Sequence, residues 1–229
     1  MLYELRKYDV MPGKMPALLD RFGGFTVGKW KEYGFHLVGF WTPHFGGANN
    51  QLVYIWGWES VEERMKKMPE WRNSPERKAK WEETERNGAL VRRVNNVLLQ
   101  PTDFSPIDRG VPHDGGQPHD PYLFELREYD STPGNVSALV NRFGSFTTDC
   151  FRKHGFRQVG FWTPLFGSYD QHLVYMLAWK SHEEREQQFA EFRADPERER
   201  VFKESEKNGP LVERVVNTML TPTAFSPMK

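Results

Sequence analysis

Apolar and polar residues alternate from Leu2 to Asp9, with Tyr3 and Leu5 on one side and Leu2, Glu4, Arg6 and Tyr8 on the other. Pro12-Gly13 closes the run, so a first strand is predicted there. From Met15 to Tyr33 the step changes: Leu18, Leu19, Phe22, Phe25, Trp30 and Tyr33 recur every three or four residues, interrupted by Gly23-Gly24. This predicts an amphipathic helix, kinked or split at the glycines and capped by Gly34. Phe35 to Trp41 reads as a second strand, Thr42 to Gln51 as a turn or loop, and Leu52 to Trp58 as a third strand. Ser60-Val61-Glu62-Glu63 is a capping box, Ser74-Pro75 starts a further helix, Asn87-Gly88 ends it, and Leu90 to Leu99 is a fourth strand.

The whole pattern then recurs. Gly39 to Gly46, GFWTPHFG, returns as Gly160 to Gly167, GFWTPLFG, and the same shift of 121 places Leu2–Pro106 on Leu123–Pro227 without a gap. One β-α-β-β-α-β domain is thus written twice, in the ferredoxin-like order. The predicted division is a first half over 1–100, a linker over 101–121 rich in Pro, Gly and Asp, and a second half with a tail over 122–229.

In the third strand Val53, Ile55 and Gly57 form a small side, opposite Leu52, Tyr54, Trp56 and Trp58. Small residues suit packing under helices, and the aromatic side would be left in water on an isolated half. The expectation is therefore that the aromatic sides of two sheets stack face to face. That makes an α+β protein, a two-sheet barrel that is a dimer built into one chain and whose two pockets are free to differ.

Composition narrows the function. Lys and Arg number 31 against 31 Asp and Glu, so no net field favours nucleic acid. Cys150 is the only cysteine, which excludes an intrachain disulfide and a Cys-built zinc site. No run approaches a membrane span and no leader pattern precedes Leu2, so a soluble cytoplasmic protein is expected. There is no GxGxxG, GxxxxGK, HExxH or nucleophile elbow.

The strand YELRKYD, VGFW before a glycine-containing loop, a third strand ending in Trp, and the SxEER helix start resemble the NIPSNAP family, in both halves. The resemblance implies the dimeric α/β-barrel fold, shared by cofactor-independent monooxygenases, haem-using enzymes and small isomerases. It also implies links to mitochondrial quality control and vesicle trafficking, which animal members carry. Fold alone assigns no chemistry.

Strand pairing gathers Glu4, Arg6 and Tyr8, and in the second half Glu125, Arg127 and Tyr129, as a polar floor. Trp41, Tyr54, Trp58 and Asn96, matched by Trp162, Tyr175, Trp179 and Asn217, supply aromatic walls and an amide. These are the ligand-binding candidates. Arg6, Tyr8, Arg127 and Tyr129, with His44 from the GFWTPHFG loop, are the catalytic ones: Arg holds a carboxylate or enolate oxygen, Tyr donates a hydrogen bond, and His44, where the second copy has Leu165, offers a base to one pocket only.

Three readings stay open. Glu4 and Arg6 form an internal salt bridge among core aromatics; or the barrel binds or converts a compact aromatic or carbonyl metabolite, as a monooxygenase or isomerase without a tightly held cofactor; or the protein is a scaffold meeting partners through its aromatic loops, Trp41 to Phe45 and Trp162 to Phe166, or through the linker. No metal site is expected, the His113-Asp114 and His119-Asp120 pairs reading as solvated linker. Arg72 to Arg86 reads as a solvated helix face. A further homo-oligomer remains open beside the internal pseudo-dimer.

Overall fold

A computed structural model describes residues 1–107, 122–166 and 171–229. The His-Asp pairs of the linker and the loop glycine Gly167 lie outside the described residues. Two compact units emerge: Met1–Pro43, Ala48–Leu99 and Pro222–Lys229 make the first, and His44–Gly47 with Gln100–Thr221 the second.

In the first repeat β1 (Leu2–Val10) is followed by α1 (Met15–Arg21), a π-helical turn (Phe22–Thr26) and α2 (Val27–Glu32). Then come β2 (His36–Phe45), β3 (Gln51–Trp58), α3 (Val61–Asn73), α4 (Pro75–Thr84) and β4 (Val91–Pro101). The second repeat runs β5 (Leu123–Ser131), α5 (Val136–Arg142), a π-turn (Phe143–Thr147), α6 (Thr148–Lys153), β6 (Arg157–Phe166), β7 (His172–Trp179), α7 (His182–Ala194), α8 (Pro196–Ser205) and β8 (Val212–Pro222). In the first repeat β1 lies between β3 and β4, with β2 beyond β3, all antiparallel; in the second β5 lies between β7 and β8, with β6 beyond β7. The fold is α+β, two ferredoxin-like repeats of the dimeric α/β-barrel class.

The helix break at the glycines is a π-turn, one residue wider than an α-turn, which carries the helix on instead of ending it. The caps act as their sequences imply. Ser60 Oγ accepts from Glu63 N at 3.2 Å, Ser74 Oγ from Arg77 N at 3.4 Å, and Asp195 Oδ1 from Glu197 N at 2.9 Å. The second strand is longer than expected, since β2 continues through Thr42-Pro43 to Phe45. Thr102–Ile107, read from sequence as the start of the linker, is ordered against its own unit: Phe161 N donates to Ser105 Oγ at 2.9 Å, and Phe104 packs on Phe161 at 5.5 Å. In the first unit the tail repeats the device, with Ser226 Oγ accepting from Phe40 N at 2.9 Å and Phe225 on Phe40 at 5.5 Å.

One expectation is overturned. The aromatic side of β3 packs under its own helices: Tyr54, Trp56 and Trp58 share a core with Leu18, Phe22 and Trp30 of the first helical stretch and Met68 and Trp71 of α3. The small side, with Tyr3, Leu5, Val53 and Ile55, is buried as well. Alternation separates two faces only when one of them meets water, and here neither does.

Trp41 belongs to the small side, in register with Val53, and its ring lies over Gly39: a Cβ there would sit 2.3 Å from the indole, and 2.4 Å from Trp162 at Gly160. Both rings are wholly buried. Gly39→Ala is therefore expected to lower unfolding free energy by about 1–3 kcal/mol, the cost of overpacking. Urea denaturation checks this; a loss below a few tenths of a kcal/mol would show that the indole moves aside.

Candidate functional site

Successive outward positions of β1 on the helix side carry Glu4, Arg6 and Tyr8, opposite Trp56, Tyr54 and Leu52 of β3. Glu4 is 0% exposed and accepts four hydrogen bonds: from Arg6 Nη1 at 2.7 Å, Trp58 Nε1 at 3.1 Å, and Arg64 Nε and Nη2 at 2.7 and 3.0 Å. Arg6, 4% exposed, gives Nε to the Tyr54 hydroxyl at 2.8 Å and Nη2 to Tyr8 at 3.4 Å, and its guanidinium lies 4.8 Å from the Trp56 ring centre. The second repeat copies this with Glu125, Arg127, Tyr129, Tyr175, Trp179 and Arg185: Arg127 Nε to Tyr175 is 2.7 Å and Arg127 Nη2 to Tyr129 is 2.9 Å.

Burial alone would raise the Glu4 carboxyl, but the hydrogen bonds and charges of Arg64 and Arg6 outweigh it and hold it below the ordinary value of 4.5. Glu125 is lowered in the same way by Arg185 and Arg127. Burial pushes the Tyr54 and Tyr175 phenols well up, so both stay protonated. Glu4 is consequently a poor base: it is anionic, but its oxygens are already occupied.

Above Arg6 and Tyr8 the first repeat holds a cavity of about 520 Å³ between its sheet and its own helices. Trp30, Trp56, Trp71 and Trp81 line it, with Asn96, in register with Arg6, near its edge. At the matching place in the second repeat the space is about 160 Å³. There the four tryptophans are Phe151, Leu177, Phe192 and Phe202, and Met68 is Phe189. The Phe189 ring lies 5.1 Å from the Arg127 guanidinium and reduces the room above it.

The structure thus assembles Glu4, Arg6, Tyr8, Tyr54, Trp58 and Asn96 on one face, and Glu125, Arg127, Tyr129, Tyr175, Trp179 and Asn217 on its counterpart. Trp41 and Trp162 fall on the other face. His44 is exposed at the end of β2, 5.7 Å from the His182 ring, and is not in the cavity lining. Sequence reading missed Arg64, Arg21 and Arg77; of the Arg72 to Arg86 stretch that it read as a solvated helix face, Arg72 is exposed as expected, while Arg77, Trp81 and Glu85 are half-buried and line the cavity with it.

One other cluster, Cys150, His154 and Asp195, brings ligand-type atoms within 4.8 Å of one another. Asp195 is already engaged there: Oδ2 takes Lys153 Nζ at 2.6 Å and His154 Nε2 at 2.9 Å, while Oδ1 caps α8. Burial raises the Cys150 thiol, so the arrangement serves as a helix cap. Among the described residues no helix is long and apolar enough to cross a membrane.

The NIPSNAP family model matches residues 3–106 and again 124–227, and the chain belongs to that family as a tandem repeat. Over 99% of its length it is 24% identical to protein NipSnap homolog 3B of Mus musculus, covering 85% of that protein. It is 23% identical to NipSnap homolog 3A of Homo sapiens over 100% of this chain and 86% of that one. In fold it resembles a candidate monooxygenase of Lactobacillus acidophilus, with TM-score 0.60 and 9% identity over 96% of this chain and 93% of that one. It also resembles an anthrone oxidase-like protein, with TM-score 0.55 and 12% identity over 97% and 91%. At such identities the likeness is one of fold.

Proposed function

We propose that this NIPSNAP-family chain is a small-molecule-binding protein whose working site is the cavity of the first repeat, taking a compact aromatic molecule that carries a carbonyl oxygen. The observation that carries the reading is the contrast between two copies of one site: the polar floor is the same, but one copy has about 520 Å³ above it walled by tryptophans and the other about 160 Å³. A floor kept for packing alone needs no such space over one copy only. Aromatic walls favour a flat ligand through stacking. The Tyr8 hydroxyl and Arg6 are placed to meet a carbonyl oxygen and would stabilise charge developing on it.

The same geometry makes ligand capture a better supported role than proton abstraction. Glu85, the one carboxylate in the lining among the described residues, is held by Arg21 at 2.8 Å, and Glu4 is saturated by its four donors. Calorimetric titration with the neutral probe 2-naphthamide tests the reading. Saturable binding at one equivalent per chain is expected; absence of saturable binding by this amide and by its carboxylate, 2-naphthoate, overturns it.

A further inference from the structure

The charges around the first-repeat cavity are unbalanced, and the imbalance has a direction. Arg6, Arg21, Arg72, Arg77, Arg92 and Arg93 line it, against Glu85 as the only carboxylate that lines it among the described residues. Most of these arginines have partners. Arg6 is bound to Glu4, Arg21 to Glu85, and Arg93 to Asp9 at 2.8 Å, with Arg92 4.0 Å from the same carboxylate. Arg72 and Arg77 are different. Among the described residues neither forms an ion pair with a carboxylate; Arg77 Nη1 donates to the Arg72 carbonyl at 3.2 Å, and its guanidinium lies 4.2 Å from the Trp81 ring centre.

The unpaired polar atoms of the lining point to the same chemistry. Arg21 is 2% exposed and its Nε has no partner, as is also true of Arg142 Nε in the second repeat, whereas the buried indole N–H groups of Trp30 and Trp56, also without an acceptor, have no counterpart there. All of these are donors. In the second repeat the two indoles are replaced by Phe151 and Leu177, and Glu213 stands where the first repeat has Arg92. The open cavity therefore carries excess positive charge, with Arg72, Arg92 and Arg93 exposed and Arg77 half-buried around it, and a half-buried guanidinium without a carboxylate partner favours an anion. Burial, together with the nearby charges of Arg72 and Arg21, holds the Arg77 pKa below its ordinary value in spite of Tyr8.

We propose that the ligand of this cavity is an anion, a planar aromatic carboxylate whose ring lies beside Trp56 and Trp71 and whose carboxylate is taken by Arg77 and Arg72, while Trp81 is held between the guanidiniums of Arg21, at 4.0 Å, and Arg77. The inference rests on the reading that this cavity is the binding site, and goes further in naming the ligand class. A guanidinium fork matches a carboxylate in shape and charge, and stacking on Trp81 already orders Arg77 for that contact. Tyr8, which also lines the cavity, can meet an oxygen substituent on the ring.

Two isosteric probes separate the claims: 2-naphthoate and its neutral amide, titrated into the full chain by calorimetry at pH 7 in low and high salt. The carboxylate is expected to bind about tenfold more tightly than the amide, the margin of one charge-assisted hydrogen bond. That margin should shrink as salt rises. In the Arg72→Gln/Arg77→Gln double variant the preference of the carboxylate over the amide should vanish. Equal affinity for the two probes, or a preference that survives the double variant, overturns the anion proposal and leaves the cavity reading standing. Failure of both probes to bind overturns the cavity reading itself. Should the double variant not fold, the salt dependence of the wild-type chain decides, and a margin independent of salt counts against the proposal.

Discussion

Glu4→Ala is expected to destabilise the protein by about 3–5 kcal/mol, the cost of breaking a buried ion pair from one side. The carboxylate is 0% exposed and gathers two arginines and an indole; its removal leaves Arg6, 4% exposed, with only the Tyr54 and Tyr8 hydroxyls. Arg64 reaches the same carboxylate from α3, so the variant also unties that helix from β1. Arg64→Ala should cost less, since Glu4 then keeps Arg6 and Trp58, and since the Arg64 side chain is 21% exposed. The pH dependence has a definite sign. Glu4 and Glu125 titrate below 4.5 when folded, so their stabilising contribution is present above that value and is lost as pH falls through the lowered folded values. Urea midpoints from pH 7 down to pH 3 should decline more gently for Glu4→Gln than for the parent. Equal slopes, together with a Glu4→Ala loss under about 1 kcal/mol, would show a solvated, weak pair.

Met68→Phe is expected to abolish ligand binding, by tenfold or more on the order of a lost hydrophobic contact, with stability unchanged or slightly raised. It installs the residue that the second repeat carries as Phe189. Added volume in a packed core strains its neighbours, but here the extra atoms enter an empty cavity of about 520 Å³ beside Met68. Loss of binding without loss of stability would locate the ligand above Arg6. The reverse exchange, Phe189→Met, should leave first-site binding untouched. A Met68→Phe protein that binds 2-naphthamide as the parent does would remove the ligand from this cavity.

Much of the fold was legible in the chain because it is written twice. The capping serines, Ser60 and Ser74, and the strand and helix order follow from local chemistry that needs no tertiary knowledge. Facing direction was not legible. Leu52, Tyr54, Trp56 and Trp58 alternate with Val53, Ile55 and Gly57, and because both sides are buried the pattern carries no label for inside. The polar set Glu4, Arg6, Tyr8, Tyr54 and Trp58 was still found together, since residues on one face keep company whichever way that face looks. Trp41 was misplaced with them because β2 has a register shift between Leu37 and Gly39, which alternation counted from one end does not see.

The missed part of the site did leave a signal. Of the eight tryptophans, Trp41 and Trp58 have tryptophan mates in Trp162 and Trp179, whereas Trp30, Trp56, Trp71 and Trp81 have none. The four unmatched ones all line the cavity. Arg77 was hidden by its setting in a charged helix, where salt-bridge spacing imitates a solvated face until the Trp81 beneath it is considered.

The most direct test is a crystal structure of the full chain grown with 2-naphthoate. One ligand per chain is expected, between the helices and sheet of the first repeat, its ring against Trp56 or Trp71 and its carboxylate within hydrogen-bond distance of Arg77, with nothing in the matching space above Arg127. A ligand bound above Arg127 instead, or on the Trp41 side of the sheet, or an empty first-repeat cavity at saturating probe, would contradict it.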